Sequence, residues 1–255
     1  MTKFKFISVF AFIIMVILFG FSLFKEVEPN WLIIVFLLWV LIVALGSFSM
    51  SWNFHLKAFN SNPDITLKKI AITFDDGPHF ENTPEILNIL NSHNAKATFF
   101  CIGKHVESYP DILKSIDKNG HSIGNHSYTH SVFIDFNSTK QWISEIKKTD
   151  DLIKTITGSQ PKLFRPPYGV TTPHLAMALK QTNHKIIGWN KRSYDTLFTN
   201  KHFILKRLKK NLKSGDIILL HDTQKHSLYV LEHLLRYLSE HGFLAVTIEE
   251  LYNEN

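Results

Sequence analysis

The chain is poor in the residues that would mark several large classes of protein. It has one cysteine, Cys101, in 255 residues, so no internal disulfide can form and cysteine usage says little about compartment. Cys101 sits in the apolar run Ala97-Thr98-Phe99-Phe100-Cys101-Ile102, where a small buried hydrophobe is its simplest role. No internal repeat and no low-complexity tract is present, which excludes repeat architectures. No base-reading motif accompanies the formal net charge of +6, so nucleic acid is not an expected partner. The cation excess suits an anionic membrane surface or glycan instead. The densest basic run, residues 201–213, carries Phe203, Ile204, Leu208 and Leu212 on a separate helical face, and reads as the solvated side of a helix.

Two stretches lack charge altogether. Residues 6–24 and 31–50 are almost wholly apolar. At about 1.5 Å per helical residue, each matches a hydrocarbon core about 30 Å thick. Lys3 and Lys5 give the first stretch the positive start of a signal peptide, but the run is long and no A-x-A-like cleavage site follows. Both are expected to be transmembrane helices, joined through Lys25–Asn30 as a hairpin, with Trp31 and Trp52 bracketing the second. The expected organisation is therefore a membrane anchor over residues 1–52, a polar connector over 53–64 and a catalytic domain over 65–255. Membrane lipids are then expected partners, and the chain is expected to be a multi-pass protein of a plasma membrane. Lys3, Lys5, Lys57, Lys68 and Lys69 flank the hairpin, while its turn holds Lys25 beside two glutamates. That bias favours both chain ends in the cytoplasm.

From residue 65 onward, short β-rich runs alternate with amphipathic helical stretches. The runs are 70–74, 97–102, 122–124, 163–165, 185–189, 216–220 and 243–248. Helical periodicity is clearest over 85–90, 142–156 and 228–238. This alternation predicts an α/β fold with a parallel sheet, either an open doubly wound sheet or an incomplete barrel.

The polar residues in unusual company fall where those strands end. The first runs into Asp75-Asp76-Gly77-Pro78; adjacent carboxylates after a buried strand repel one another, and a cation would relieve them. The third ends in Asn125-His126-Ser127-Tyr128-Thr129-His130. Histidines four apart can share a helical face, and with a carboxylate from another strand end they make a three-ligand set with open positions. With 14 histidines in the chain, that spacing alone is a modest signal. The fourth gives Phe164-Arg165-Pro166-Pro167-Tyr168-Gly169, whose prolines hold Arg165 and the Tyr168 amide in place. A buried arginine needs a carboxylate, and Asp75 is the candidate. The sixth ends in His221-Asp222. All four clusters lie at the C-terminal ends of parallel strands, the edge that carries active sites in α/β barrels and open sheets.

These motifs, in this order, resemble those of the polysaccharide deacetylase family (carbohydrate esterase family 4, NodB-homology domain). The matching residues are Thr73–Pro78, His126–His130, Arg165–Gly169 and Leu219–Asp222, with Ala97–Phe100 similar to the family's second strand. The resemblance implies a distorted, incomplete (β/α) barrel of about seven strands. It implies Asp75 as general base, Asp76, His126 and His130 as ligands of a divalent metal, commonly zinc, and His221 as general acid. Arg165 would orient Asp75, and the Tyr168 backbone N–H would share the oxyanion with the metal. The expected reaction is metal-dependent removal of N-acetyl groups from N-acetylglucosamine-type units of peptidoglycan or exopolysaccharide. Deacylation or deformylation of a lipid-linked amino sugar, and an inactive glycan-binding membrane protein, are the alternatives. One motif departs: where relatives carry an aspartate after the fifth strand, this chain has Arg192, and only Asp195 matches. Asp195 is expected to take part of the tuning of Arg165 and Asp75. Trp189 reads equally as acyl-pocket wall or core. The oligomeric state is not legible in the sequence.

Overall fold

The computed structural model describes residues 1–25 and 27–252. Two apolar helices open the chain, α1 (Lys3–Leu23) and α2 (Asn30–Ser47). They start and stop a little earlier than the hydropathy alone suggests, and Met50–Trp52 forms a separate 3-10 turn. The helices pack on one another, and Trp39 Nε1 donates to Ser8 Oγ between them at 3.2 Å. Glu26, within the expected linker, lies outside the described residues, as do 253–255 of the expected domain.

The rest alternates strand and helix as expected: β1 (Lys69–Gly77), α3 (Asn82–Ser92), β2 (Thr98–Cys101), α4 (Gly103–Ser108), α5 (Pro110–Lys118), β3 (Ser122–Asn125), α6 (Thr139–Thr157), β4 (Leu163–Phe164), α7 (Pro173–Thr182), β5 (Lys185–Ile186), β6 (Lys191–Arg192), α8 (Lys201–Lys209), β7 (Ile217–His221), α9 (His226–Glu240), β8 (Leu244–Val246) and α10 (Ile248–Tyr252). The strands form one parallel sheet ordered β5-β4-β3-β2-β1-β7-β6, with β8 pairing the first residues of β1. The expected incomplete barrel is present. The sequence run 185–189 is shorter as a strand than its composition suggests, and β6 follows it as an eighth segment.

Strand β1 shows why the sheet curls around a site. It is buried on both faces, as a central parallel strand must be. Ile70, Ile72 and Phe74 join the large outer core under the helices. Ala71 points inward with Phe100, Leu163, Ile187 and Ile217. Period-two alternation therefore sends Thr73 and Asp75 to the inside as well. Helix α6 begins with a Ser138–Gln141 capping box and ends at Gly158 in the left-handed conformation (φ 77°), which suits glycine because it has no Cβ to clash.

The expected polar connector over 53–64 is a packed element instead. Phe54, His55, Ala58 and Asn62 are buried. Phe59 bridges Ile187 and Ser61 bridges Asp216, so this segment lines the seam between edge strands β5 and β6. Unpaired backbone along that seam needs partners, and the connector supplies them through Gly188 N–H to Phe59 O and Asn62 N–H to Gly215 O, both 2.9 Å.

Phe99 is fully buried and stacks on Phe74 with centroids 5.1 Å apart. Phe99→Ala should destabilise the folded domain by about 3–5 kcal/mol, read as a lowered thermal midpoint of the full chain in detergent micelles. An unchanged midpoint would contradict this packing.

Candidate active site

Asp75 and Asp76 occupy the end of β1, but by different means. Asp75 continues the inward row and sits in register with His221 on β7. Alternation would turn Asp76 outward. The pairing of β1 with β2 slips between Asp75 and Gly77, and Asp76 adopts φ 74°; this irregularity brings the second carboxylate back to the same mouth. Beyond it, a Cβ on Gly77 would collide with the Asp222 carboxylate. Thr83 Oγ1 donates to Asp222 at 2.6 Å, and burial pushes that carboxyl up to about 7.

Arg165 is fully buried. Its Nη1 donates to Asp75 Oδ1 and to Thr73 Oγ1, both at 2.7 Å, its Nη2 to Gly188 O at 2.9 Å and its Nε to Ile187 O at 3.2 Å. Its guanidinium carbon lies 4.1 Å from the Phe100 ring centroid. Burial pulls the guanidinium down from its usual value, and Asp75 opposes that pull. The backbone oxygen of Arg165 meets His126 Nδ1 at 2.8 Å. A carbonyl can only accept, so Nδ1 carries the proton and Nε2 presents its lone pair to the mouth.

His126 and His130 do not share a helical face. The segment between them is a loop, with left-handed backbone at Ser127 (φ 66°) and His130 (φ 47°). Glu145 on α6 holds it by accepting the backbone N–H groups of Tyr128 at 2.9 Å and Thr129 at 2.7 Å. Asn125 accepts the Ser127 N–H and donates to Asp150. The sequence spacing suggested a shared helical face; the structure brings the two histidines together through a loop instead.

Asp76, His126 and His130 form a group whose ligand atoms all lie within 4.8 Å of one another. Asp76 Oδ1 is 3.5 Å from His126 Nε2 and 3.4 Å from His130 Nε2. Tetrahedral bonds of about 2.0–2.1 Å would separate two ligand atoms by about 3.4 Å. Asp76 Oδ1 is buried with no hydrogen-bond partner among the described residues, a costly state that a cation would relieve. The three residues therefore fit a divalent metal. Burial raises the Asp76 carboxyl, but His126, His221 and His130 outweigh it and hold the group below the ordinary carboxylate range. Burial and neighbouring His126 take His130 down to about 4, so His130 is suited to offer a lone pair, as the hydrogen bond at Nδ1 leaves Nε2 of His126 to do.

Across the mouth, His221 Nδ1 meets Asp195 Oδ1 at 2.7 Å, and its backbone N–H donates to Asp195 Oδ2 at 2.8 Å. Ser193 and Ser227 hydroxyls hold the same carboxylate. Burial alone would lower the imidazole; the bond to Asp195 and the charges of Asp195, Asp75 and Asp76 outweigh it and push His221 up to about 9. This overturns the expectation that Asp195 tunes Arg165 and Asp75. Arg165 spends its donors elsewhere, and Asp195 belongs to His221. The local sequence Ser193-Tyr194-Asp195 carried no sign of that partner, because strand order sets it.

Tyr168 has left-handed backbone (φ 57°), and among the described residues no acceptor takes its N–H. Its hydroxyl donates to His130 O at 3.2 Å. Trp189 packs over Gly169, where a Cβ would strike the indole, and against the inner core. Arg192 stacks on Trp189 and Tyr194 and has no carboxylate partner among the described residues. A cavity of about 680 Å³, lined by Lys57, Phe59, Lys185 and Tyr252, lies away from this chemistry.

Comparison with known proteins agrees with the geometry. The sequence model of the family described as polysaccharide deacetylase matches residues 63–187. The peptidoglycan-N-acetylglucosamine deacetylase PgdA of Listeria monocytogenes is 36% identical over 189 residues, which are 74% of this chain and 40% of that protein. This chain thus spans well under half the length of that relative. The structure of the peptidoglycan deacetylase PdaC from Bacillus subtilis superposes with a TM-score of 0.69 at 34% identity, covering 73% of this chain and 91% of that one. BA3943 from Bacillus anthracis, a pseudoenzyme of carbohydrate esterase family 4, superposes with a TM-score of 0.71 at 26% identity over 76% of this chain and 68% of that one. By sequence and by fold, the chain belongs to the polysaccharide deacetylase family, carbohydrate esterase family 4.

Proposed function

We propose that the chain is a metal-dependent N-deacetylase of N-acetylglucosamine-type units in a bacterial glycan, with α1 and α2 anchoring it in the plasma membrane as a hairpin and residues 65–255 forming the catalytic domain. The observation that carries this reading is one mouth holding an arginine-paired carboxylate, a three-residue metal group and an aspartate-paired histidine. An inactive glycan binder, as the pseudoenzyme relative suggests, would have no need of that full set.

Asp76, His126 and His130 would hold the metal, zinc being the commonest choice for such donors. Bound there, it supplies Lewis-acid polarisation of the amide carbonyl and a more acidic water. Arg165 occupies Asp75 Oδ1; Oδ2, which takes no hydrogen bond among the described residues and lies 3.9 Å from His126 Nε2, takes the proton of the attacking water. The unpaired Tyr168 N–H donates to the oxygen that becomes negative when the carbonyl carbon turns tetrahedral. His221, its Nδ1 engaged by Asp195, gives the proton on Nε2 to the departing amine. That step is needed because an amine leaves poorly as an anion, and general-acid catalysis of this kind typically contributes about 10²–10⁴-fold.

Purified full-length protein should release acetate from N-acetylglucosamine oligomers in a chelator-sensitive way. Asp75→Asn should keep its metal and lose turnover, because an amide cannot take the proton; His126→Ala should lose both. Elemental analysis beside an acetate assay reads the two, and equal metal loss in both variants would contradict the assigned roles. A second variant tests the acid. Asp195→Asn removes the negative charge that keeps His221 protonated, so His221 should give up its proton at lower pH. The alkaline limb of kcat should move to lower pH, while metal content stays as in the parent. An alkaline limb that does not move would remove His221 as the acid.

A further inference from the structure

The loops that leave the C-terminal strand ends carry more than catalytic groups. Phe80 follows β1; Val132, Phe133 and Phe136 lie between β3 and α6; Leu197 and Phe198 lie between β6 and α8. All six are exposed, Val132 at 76% and Phe136 at 85%. They project from three separate loops around one mouth, the mouth that holds Asp75, His126 and His221. Large apolar side chains gathered on one face of a domain mark a surface that meets something apolar.

The hairpin identifies what that is. Ser47, the last residue of α2, accepts the backbone N–H of Thr171 at 2.9 Å. Thr171 lies three residues beyond Tyr168, in the loop after β4 that forms part of the same mouth. At the start of α1, Lys3 Nζ donates to Trp52 O at 2.8 Å and Phe4 N–H to Phe54 O at 3.1 Å. The open end of the hairpin is thus pinned beside the mouth. The ends of membrane-spanning helices lie at the boundary between lipid and water. A mouth loop bonded to such an end is held at that boundary, and phenylalanine, leucine and valine around it are suited to enter the headgroup layer.

We propose that the rim formed by these six residues rests in the interfacial layer of the bilayer, and that the site takes its acylated amino sugar from the head of a membrane lipid. The membrane-facing rim rests on α1 and α2 spanning the bilayer. The choice of substrate rests in addition on the deacetylase reading. A lipid-borne sugar confined to the same surface as the mouth meets it at high effective concentration, whereas a polymer in bulk water must reach under the rim.

The test uses the full chain in unilamellar vesicles of phosphatidylethanolamine and phosphatidylglycerol. A polarity-sensitive fluorophore is placed singly at Phe136→Cys, Leu197→Cys or, as control, Ser239→Cys at the opposite end of the barrel; buried Cys101 stays unlabelled. With lipid spin-labelled near its headgroup, emission at positions 136 and 197 should be lost and that at 239 kept. Equal emission at all three positions would overturn the membrane-facing rim. In the same vesicles the unlabelled parent is given N-acetylglucosamine joined through pyrophosphate to a polyprenyl lipid, or a water-soluble N-acetylglucosamine oligomer. The lipid-borne sugar should react about 10²-fold faster at equal bulk concentration, a gain of the size that confinement brings. Turnover of the oligomer alone would overturn the lipid substrate. Turnover of neither, with emission lost at the rim, supports the membrane-facing mouth and counts against the deacetylase reading itself.

Discussion

A guanidinium removed from water must find its acceptors inside the protein, because an unpaired buried charge costs several kcal/mol. At Arg165 those acceptors are Asp75 and Thr73 on β1 and the carbonyls of Ile187 and Gly188 in the seam between β5 and β6. Its own carbonyl sets the tautomer of His126. One residue just beyond the end of β4 therefore holds the proposed base, closes the inner side of the seam and aims a proposed metal ligand. Displacing it would disturb each of these together. The two prolines that follow it restrict the backbone on which this arrangement hangs.

The site divides its histidines by environment. His130 is half-buried against His126, and is taken down to about 4. His221 is similarly enclosed but faces Asp195, Asp75 and Asp76, and is pushed up to about 9. Two imidazoles in one mouth are thereby suited to opposite tasks, lone-pair donation on one side and proton donation on the other. Asp195 is central to that division. It is itself kept below the ordinary carboxylate range by His221 and Ser193 in spite of burial, and so supplies a full negative charge. Arg192, the residue that departs from the family pattern, stays outside this pair and stacks on Trp189 and Tyr194.

The connector joins the two parts of the molecule. Residues 53–62 leave the hairpin, pass along the seam and bridge both Ile187 and Asp216. The apolar helices are thus attached to the barrel through the β5–β6 seam, close to the carbonyls that receive Arg165, rather than through a loose tether. A polar composition hid this, because the segment works mainly through backbone hydrogen bonds and a few buried side chains such as Phe54 and Ala58.

Sequence alone indicated the alternation of strands and helices and the candidate polar groups at the strand ends. Apolar periodicity marked the strands and helices, two charge-free runs marked α1 and α2, and the residue types at the strand ends marked Asp75, Asp76, His126, His130, Arg165, Tyr168 and His221. These were legible because period-two burial, helical spacing and hydropathy are local properties of the chain. Tertiary structure decided the partnerships. Alternation would have turned Asp76 away, and only the slip against β2 with its left-handed backbone brings it in. The histidine pair meets through a loop pinned by Glu145, not through a helix. Asp195 pairs with His221 across 26 residues, because β6 and β7 are neighbours in the sheet. Each of these depends on which strands lie side by side and on where a buried charge finds its counter-charge, and neither is written in the spacing of residues along one segment.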